Sequence, residues 1–224
     1  MISSTIVPQL QENSVEVTIR PKIESIIDDL MASLPESSQL TNEERRGIIA
    51  RYTAVLEGNF IYWMTAAFLA VRAEQARPHL LDNLLEEVRD SHPAMLRRFT
   101  IAAKAYPTEV DSLAVHEDLT KVRLFMGRLS GVQSLVTMAF FEGFIQRFMA
   151  YLMDLAAARG SSESEYTDVH GVCDIAHTQG LFDALTAEME VNPLNEGANI
   201  YEGVYLLRNL IQTIVFGQAH QHSV

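Results

Sequence analysis

The sequence predicts an all-α protein, and three observations carry that prediction. Apolar residues recur at helical spacing along most of the chain, and no run alternates with the two-residue period of a strand. Proline, glycine and serine clusters interrupt the pattern at intervals that suit helices. No internal repeat is present, so the helices belong to one unit rather than a solenoid. At 224 residues the chain is one large domain or two small ones, long enough for a real core, and 48% hydrophobic content is that of a globular protein. The pattern favours one domain of about seven helices.

Residues 1–20 show no sustained period, are punctuated by Pro8 and Pro21, and read as an N-terminal arm. The helical domain covers 21–217. It opens with a short amphipathic helix from about Pro21 to Ala32, with proline in its first turn. Thr41-Asn-Glu-Glu44 is a capping box at the start of a long helix that runs to about Gln75, before Pro78. A helix from His79 to about Asp90 follows. Ser91-His92-Pro93 then restarts helix to about Ala105, and proline disfavours the α conformation at His92, so a kink is expected there. After a Tyr106-Pro107 loop, helix is expected from about Ser112 to Leu129. Val132 to Ala158 is apolar nearly all round, the mark of a helix at the centre of a fold. A Gly/Ser loop leads to a helix from Tyr166 to Glu190, and a last helix runs from about Glu196 to Phe216. Residues 218–224, rich in histidine, form a frayed tail.

Charge and cysteine usage narrow the partners. A net charge of −12, with no basic stripe, argues against nucleic acid and an anionic membrane surface. The N-terminus lacks the basic and apolar regions of a secretion signal, and the apolar run Phe60 to Val71 is too short to span a bilayer. The single cysteine, Cys173, excludes an internal disulfide and fits a reducing compartment. A soluble, cytoplasmic protein acting on a small molecule is expected, with neither membrane nor nucleic acid as partner.

The chemistry concentrates in His170-Gly-Val-Cys-Asp174-Ile-Ala-His177. Residues four and seven apart share a helix face, so His170, Asp174 and His177 point the same way. Two imidazoles and a carboxylate suit Fe, Mn or Zn. Two lone acids reinforce the reading. Glu57 is the only acidic residue between Glu44 and Glu74, and Glu142 the only one between Asp118 and Asp154; the helical neighbours of both are mostly small or apolar. A buried carboxylate needs a proton, a cation or a metal, unless it is hydrogen-bonded in the core or reaches water at a helix edge. On the helix before Pro93, Leu80, Leu81, Leu84, Leu85 and Val88 define an inward stripe. At about 100° per residue Glu87 lies roughly 90° from its centre and Glu86 nearly opposite, which favours Glu87 as a ligand and leaves Glu86 as the alternative. His92 follows, and Ser-His-Pro serves equally as a helix cap. A ferritin-like dimetal site would need paired Glu-x-x-His motifs, and the chain has none.

In this combination the residues resemble the haem-oxygenase-like diiron oxidases and oxygenases. That family carries one Glu on its first core helix, a Glu followed shortly by a His on the second, a Glu on a central helix, and a His-x₃-Asp-x₂-His triplet about thirty residues on. Here His170 follows Glu142 by 28 residues (142 to 170), and Asp82-Asn-Leu-Leu-Glu-Glu-Val-Arg-Asp-Ser-His-Pro93 is similar to the second-helix segment. The resemblance covers about 45 to 190. One departure is the short gap of five residues between Glu87 and His92. The resemblance implies a haem-oxygenase-like bundle and a ligand set of Glu57, Glu87 (or Glu86), His92, Glu142, His170, Asp174 and His177. It also implies two Fe per chain, O₂ as co-substrate, and oxidation of an amino acid, amine or fatty acid in specialised metabolism. N-oxygenation, C–C cleavage, desaturation and nitrile formation are all within the class; a homodimer and an external electron donor are compatible with it. Tyr52, Phe60, Trp63, Phe141, Phe144 and Tyr205 are core candidates, some of which could line a pocket. Two other readings compete. A metal-free relative could use Cys173 as a thiaminase-type nucleophile or act as a cofactorless oxidase, and a helical binding protein would make the convergence of ligands a coincidence.

Overall fold

The computed structural model describes residues 15–217. Among them are eight α-helices and no strand: α1 (Arg20–Ala32), α2 (Asn42–Ala70), α3 (Arg77–Arg89), α4 (His92–Ala102), α5 (Glu109–Met126), α6 (Gly131–Ala158), α7 (Glu165–Val191) and α8 (Glu202–Phe216). That is one more helix than expected. Ser91 adopts a left-handed conformation (φ 59°, ψ 42°), so the segment around His92-Pro93 is a break between two helices rather than a kink within one.

The expected arm is shorter than residues 1–20. Val15–Ile19 forms a π-helical turn that runs directly into α1, and Val15 and Ile19 are buried. The remainder of the arm and the His-rich tail lie outside the described residues. The Thr41/Glu44 capping box forms as anticipated, with the Thr41 hydroxyl accepting the Glu44 backbone N–H at 3.2 Å. α2 stops at Ala70, short of Gln75, because the buried Glu188 on α7 accepts the backbone N–H groups of Arg72 and Ala73 at 2.7 and 2.8 Å. α5 begins three residues early on a second capping box, Thr108 with Asp111. α8 begins six residues late, since Gly197 turns at φ 82° and the Asn199 carbonyl is held by the Gln133 amide.

α6 is the spine. Its buried residues include Leu135, Met138, Phe141, Glu142, Ile145 and Met149, and it is surrounded by α7, α2, α8 and α1. α3 and α4 pack against α2 and α7. One contiguous apolar core extends from Val15 to Val215. No helix among the described residues is long and apolar enough to cross a membrane.

The rotation of α3 differs from expectation. Leu81, Leu85 and Val88 are exposed (43%, 49% and 61%), and the buried residues are Leu80, Asn83 and Glu87. Spacings of three and four place those residues on one face. The polar residues on that face meet Glu142, His92 and His170, and those contacts set the helix rotation.

Candidate metal centre

The break at Ser91 separates α3 from α4 and places His92 against Glu87 across a gap of only five residues. Nδ1–H of His92 donates to Glu87 Oε1 at 2.8 Å. From α7, His170 Nε2 approaches the same oxygen at 3.5 Å. The other nitrogen of His170, Nδ1–H, donates to the Tyr166 carbonyl at 2.8 Å, which fixes Nε2 as the atom facing the centre. The Tyr166 ring packs on His170 at 4.3 Å between centroids, and its hydroxyl pairs with that of Tyr52 at 2.7 Å. Glu87, His92 and His170 are all buried, and one potential ligand atom from each lies within 4.8 Å of the others.

One helical turn along α7, Cys173, Asp174 and His177 form a second triplet within the same 4.8 Å limit. The Cys173 thiol donates to Asp174 Oδ1 at 3.2 Å. His177 Nδ1 stands 3.7 Å from that oxygen, while its Nε2–H donates to Glu86 Oε2 at 2.9 Å. Glu86 therefore does not face away into water; with α3 rotated as described, it sits at the helix edge over His177.

Glu142 joins the two triplets. Asn83 Nδ2–H donates to its Oε1 at 2.6 Å, and Asp174 is its other neighbour. Burial, then the Asp174 carboxylate, push the Glu142 carboxyl well above the ordinary range, so it holds its proton to higher pH than an ordinary carboxyl. Burial would raise Glu87 too, but hydrogen bonds from His170 and His92 outweigh it and hold Glu87 below the usual carboxylate value. Burial opposes charge on His170 and His177; the Glu87 and Asp174 carboxylates respectively outweigh it and raise both imidazoles.

Glu142, Asp174, Glu87, His92 and His170 line one cavity with Leu56, Phe60, Pro93, Leu96, Ile145 and Tyr166. It encloses about 20 Å³ accessible to the centre of a water molecule, room for roughly one such molecule. No Lys or Arg among the described residues lines it.

No protein-family model matches the chain, and no curated protein matches it.

Six of the seven nominated ligands are thus gathered from α3, α4, α6 and α7. Glu57 is not. The helix breaks at Glu57 (ψ 98°) and Gly58 (φ 86°), and the freed Glu57 side chain, 24% exposed, pairs with Arg97. Three residues near the centre were not nominated. Asn83 is four positions before Glu87, and an amide in a Leu-rich helix is a usable signal. Tyr166 is four before His170 and shares its face. Cys173 reads from the sequence as a nucleophile or a small core residue, not as a ligand. Of the aromatic candidates, Phe60 lines the cavity, Tyr205 is 39% exposed, and the others are core.

The donor set fits a metal. Asp174 Oδ2 and Asn83 Oδ1 are buried and, the Glu142 carboxyl beside Asp174 apart, receive no hydrogen bond from a donor among the described residues. Such acceptors are costly unless a proton or cation serves them.

Proposed function

We propose that the chain is an O₂-activating non-haem iron oxidoreductase of haem-oxygenase-like fold that acts on a small molecule. The observation that supports this most is the buried 2-His-1-carboxylate triplet of Glu87, His92 and His170. That donor type leaves coordination positions open and is the one used by non-haem Fe(II) oxygenases. The second triplet beside it, with Glu142 between, supports two ions per chain. Bound iron would supply the one-electron steps and the open positions for dioxygen.

The protein's own groups do the rest. Glu142 would give up its proton to bind an ion, and its carboxylate, with that of Asp174, would supply the charge that holds it. Tyr166 orients His170 through its carbonyl. Asn83 orients Glu142. Leu56, Phe60, Leu96 and Ile145 exclude water and favour an apolar part of the substrate next to the centre. A substrate larger than one water-sized molecule requires those side chains to move, and an amino acid, amine or fatty acid would have to bring its own charge to the metal. The nucleophile reading of Cys173 has less support. Burial and the Asp174 carboxylate push its ionisation up, and its S–H donates a hydrogen bond to that carboxylate rather than to an imidazole that could activate it.

The test is anaerobic loading with Fe(II), then O₂ exposure with a panel of amino acids, amines and fatty acids. Substrate-dependent O₂ uptake with a matching product mass change is expected. Iron-loaded protein that consumes no O₂ with any of them would count against the reading.

A further inference from the structure

We propose that Cys173 is a metal ligand, so that the second subsite is a mixed sulfur, nitrogen and oxygen site for a divalent ion of borderline softness. The inference rests on the two-subsite reading above but not on any oxygen chemistry.

Cys173 and His177 are four apart on α7 and share a face; Asp174 is three before His177. Their ligand-type atoms already lie within 4.8 Å of one another with no ion to draw them together. A half-buried cysteine alone would mean little. Here it donates to Asp174, a residue 1% exposed, whose second oxygen is buried and takes no hydrogen bond from a donor among the described residues other than the Glu142 carboxyl. The far side of His177 completes the pattern. Its Nε2–H is held by Glu86 at 2.9 Å, which leaves Nδ1 as the nitrogen turned toward Asp174. A metal-bound imidazole that donates its other N–H to a carboxylate is the usual outer arrangement of such sites. Glu86 is then a positioning residue, which accounts for a carboxylate of α3 lying over an imidazole of α7.

Binding converts the thiol to a metal thiolate and releases its proton to solvent; no oxidant or reductant takes part. Three protein ligands leave at least one coordination position open. Thiolate selects softer ions than carboxylate and imidazole do, so this subsite should prefer Fe²⁺, Co²⁺ or Zn²⁺ over Mg²⁺, Ca²⁺ or Mn²⁺. The two subsites would differ in ligand chemistry, since Glu87, His92 and His170 contain no sulfur.

Cobalt(II) titration of the full chain, without oxygen, tests this by absorbance. The chain has one cysteine, so any thiolate-to-cobalt charge-transfer band in the near ultraviolet belongs to Cys173. The expected result is a band that saturates with one of the two bound ions. Cys173→Ser should lose the band and that ion while retaining the visible bands of cobalt at the other triplet. Cobalt bound without a sulfur band would overturn the inference and leave the two-ion reading standing. No bound cobalt would overturn both. The wild-type spectrum decides the matter even if the serine variant folds poorly.

Discussion

Glu142 is where charge and fold meet most directly. Burial and the neighbouring Asp174 carboxylate disfavour a second negative charge and raise the pKa of Glu142. Glu142→Gln keeps the shape, can still accept the Asn83 hydrogen bond, and can donate to Asp174. The variant should fold and melt no lower than metal-free wild type, while iron affinity falls at least about tenfold and turnover is lost. Full iron and full turnover in the variant would make Glu142 a satisfied core acid. A second comparison separates the acids on α3 and α2. Glu87→Ala should abolish iron-dependent O₂ uptake, Glu86→Ala should weaken the ion held at His177 by about tenfold, and Glu57→Gln should leave iron content unchanged. Loss of iron on Glu57→Gln would show that the Arg97 pairing gives way to the metal. At this scale the sequence was legible where an acid had apolar neighbours on an unbroken helix, as at Glu142. It misled at Glu57, whose apolar neighbours would bury it only if the helix continued. Gly58, at φ 86°, is the residue that permits the break, and it stood beside Glu57 as an unread signal.

Among the elements, α3 is the one whose pattern points the wrong way. Its leucines suggest a stripe of five apolar residues, yet only Leu80 of these is fully buried; Asn83 and Glu87 take the inward face. Periodicity counts apolar positions and cannot see that a polar pair has partners waiting on α6 and α7. The rotation has a stability consequence. Leu80→Ala should cost about 2–5 kcal/mol, whereas Leu85→Ala should stay within about 0.5 kcal/mol, measured by denaturant unfolding of the metal-free protein. Equal losses at the two sites would return α3 to the expected orientation. Leu135→Ala and Met149→Ala on α6 should fall in the larger class, both side chains being fully buried. The other helices were readable because their ends carry chemistry of their own, such as the Thr41/Glu44 box and the proline at the start of α1. The end of α2 was not, because it depends on Glu188, more than a hundred residues away.

Across the whole molecule, the ionisable groups of the centre link stability to pH with opposite signs for the metal-free and metal-bound forms. The raised Glu142 binds a proton in the folded chain that the unfolded chain releases above about pH 4.3, so its effect is a loss of stability as pH rises from there. The raised His170 and His177 contribute fully below about pH 6.5, and that contribution disappears as pH rises through their folded values. The depressed Glu87 works the other way, stabilising above about pH 4.3 and losing that contribution on acidification. These groups together make the metal-free protein less stable from about pH 5.5 to 8, with a shallower decline in Glu142→Gln. Metal replaces the same protons, so the rise in melting temperature on adding Fe(II) should grow over that window. Scanning calorimetry across the window, with and without the ion, checks both signs; a metal increment that shrinks with rising pH would contradict them. The central claim is that α3, α4, α6 and α7 build two adjacent ion sites. The most direct measurement is the iron content of the purified chain after anaerobic loading and removal of free metal, read with the protein concentration. The account predicts two Fe per chain, one more weakly held, falling to at most one in His170→Ala and in His177→Ala. At most one ion in the wild type, unaffected by His177→Ala, would contradict it.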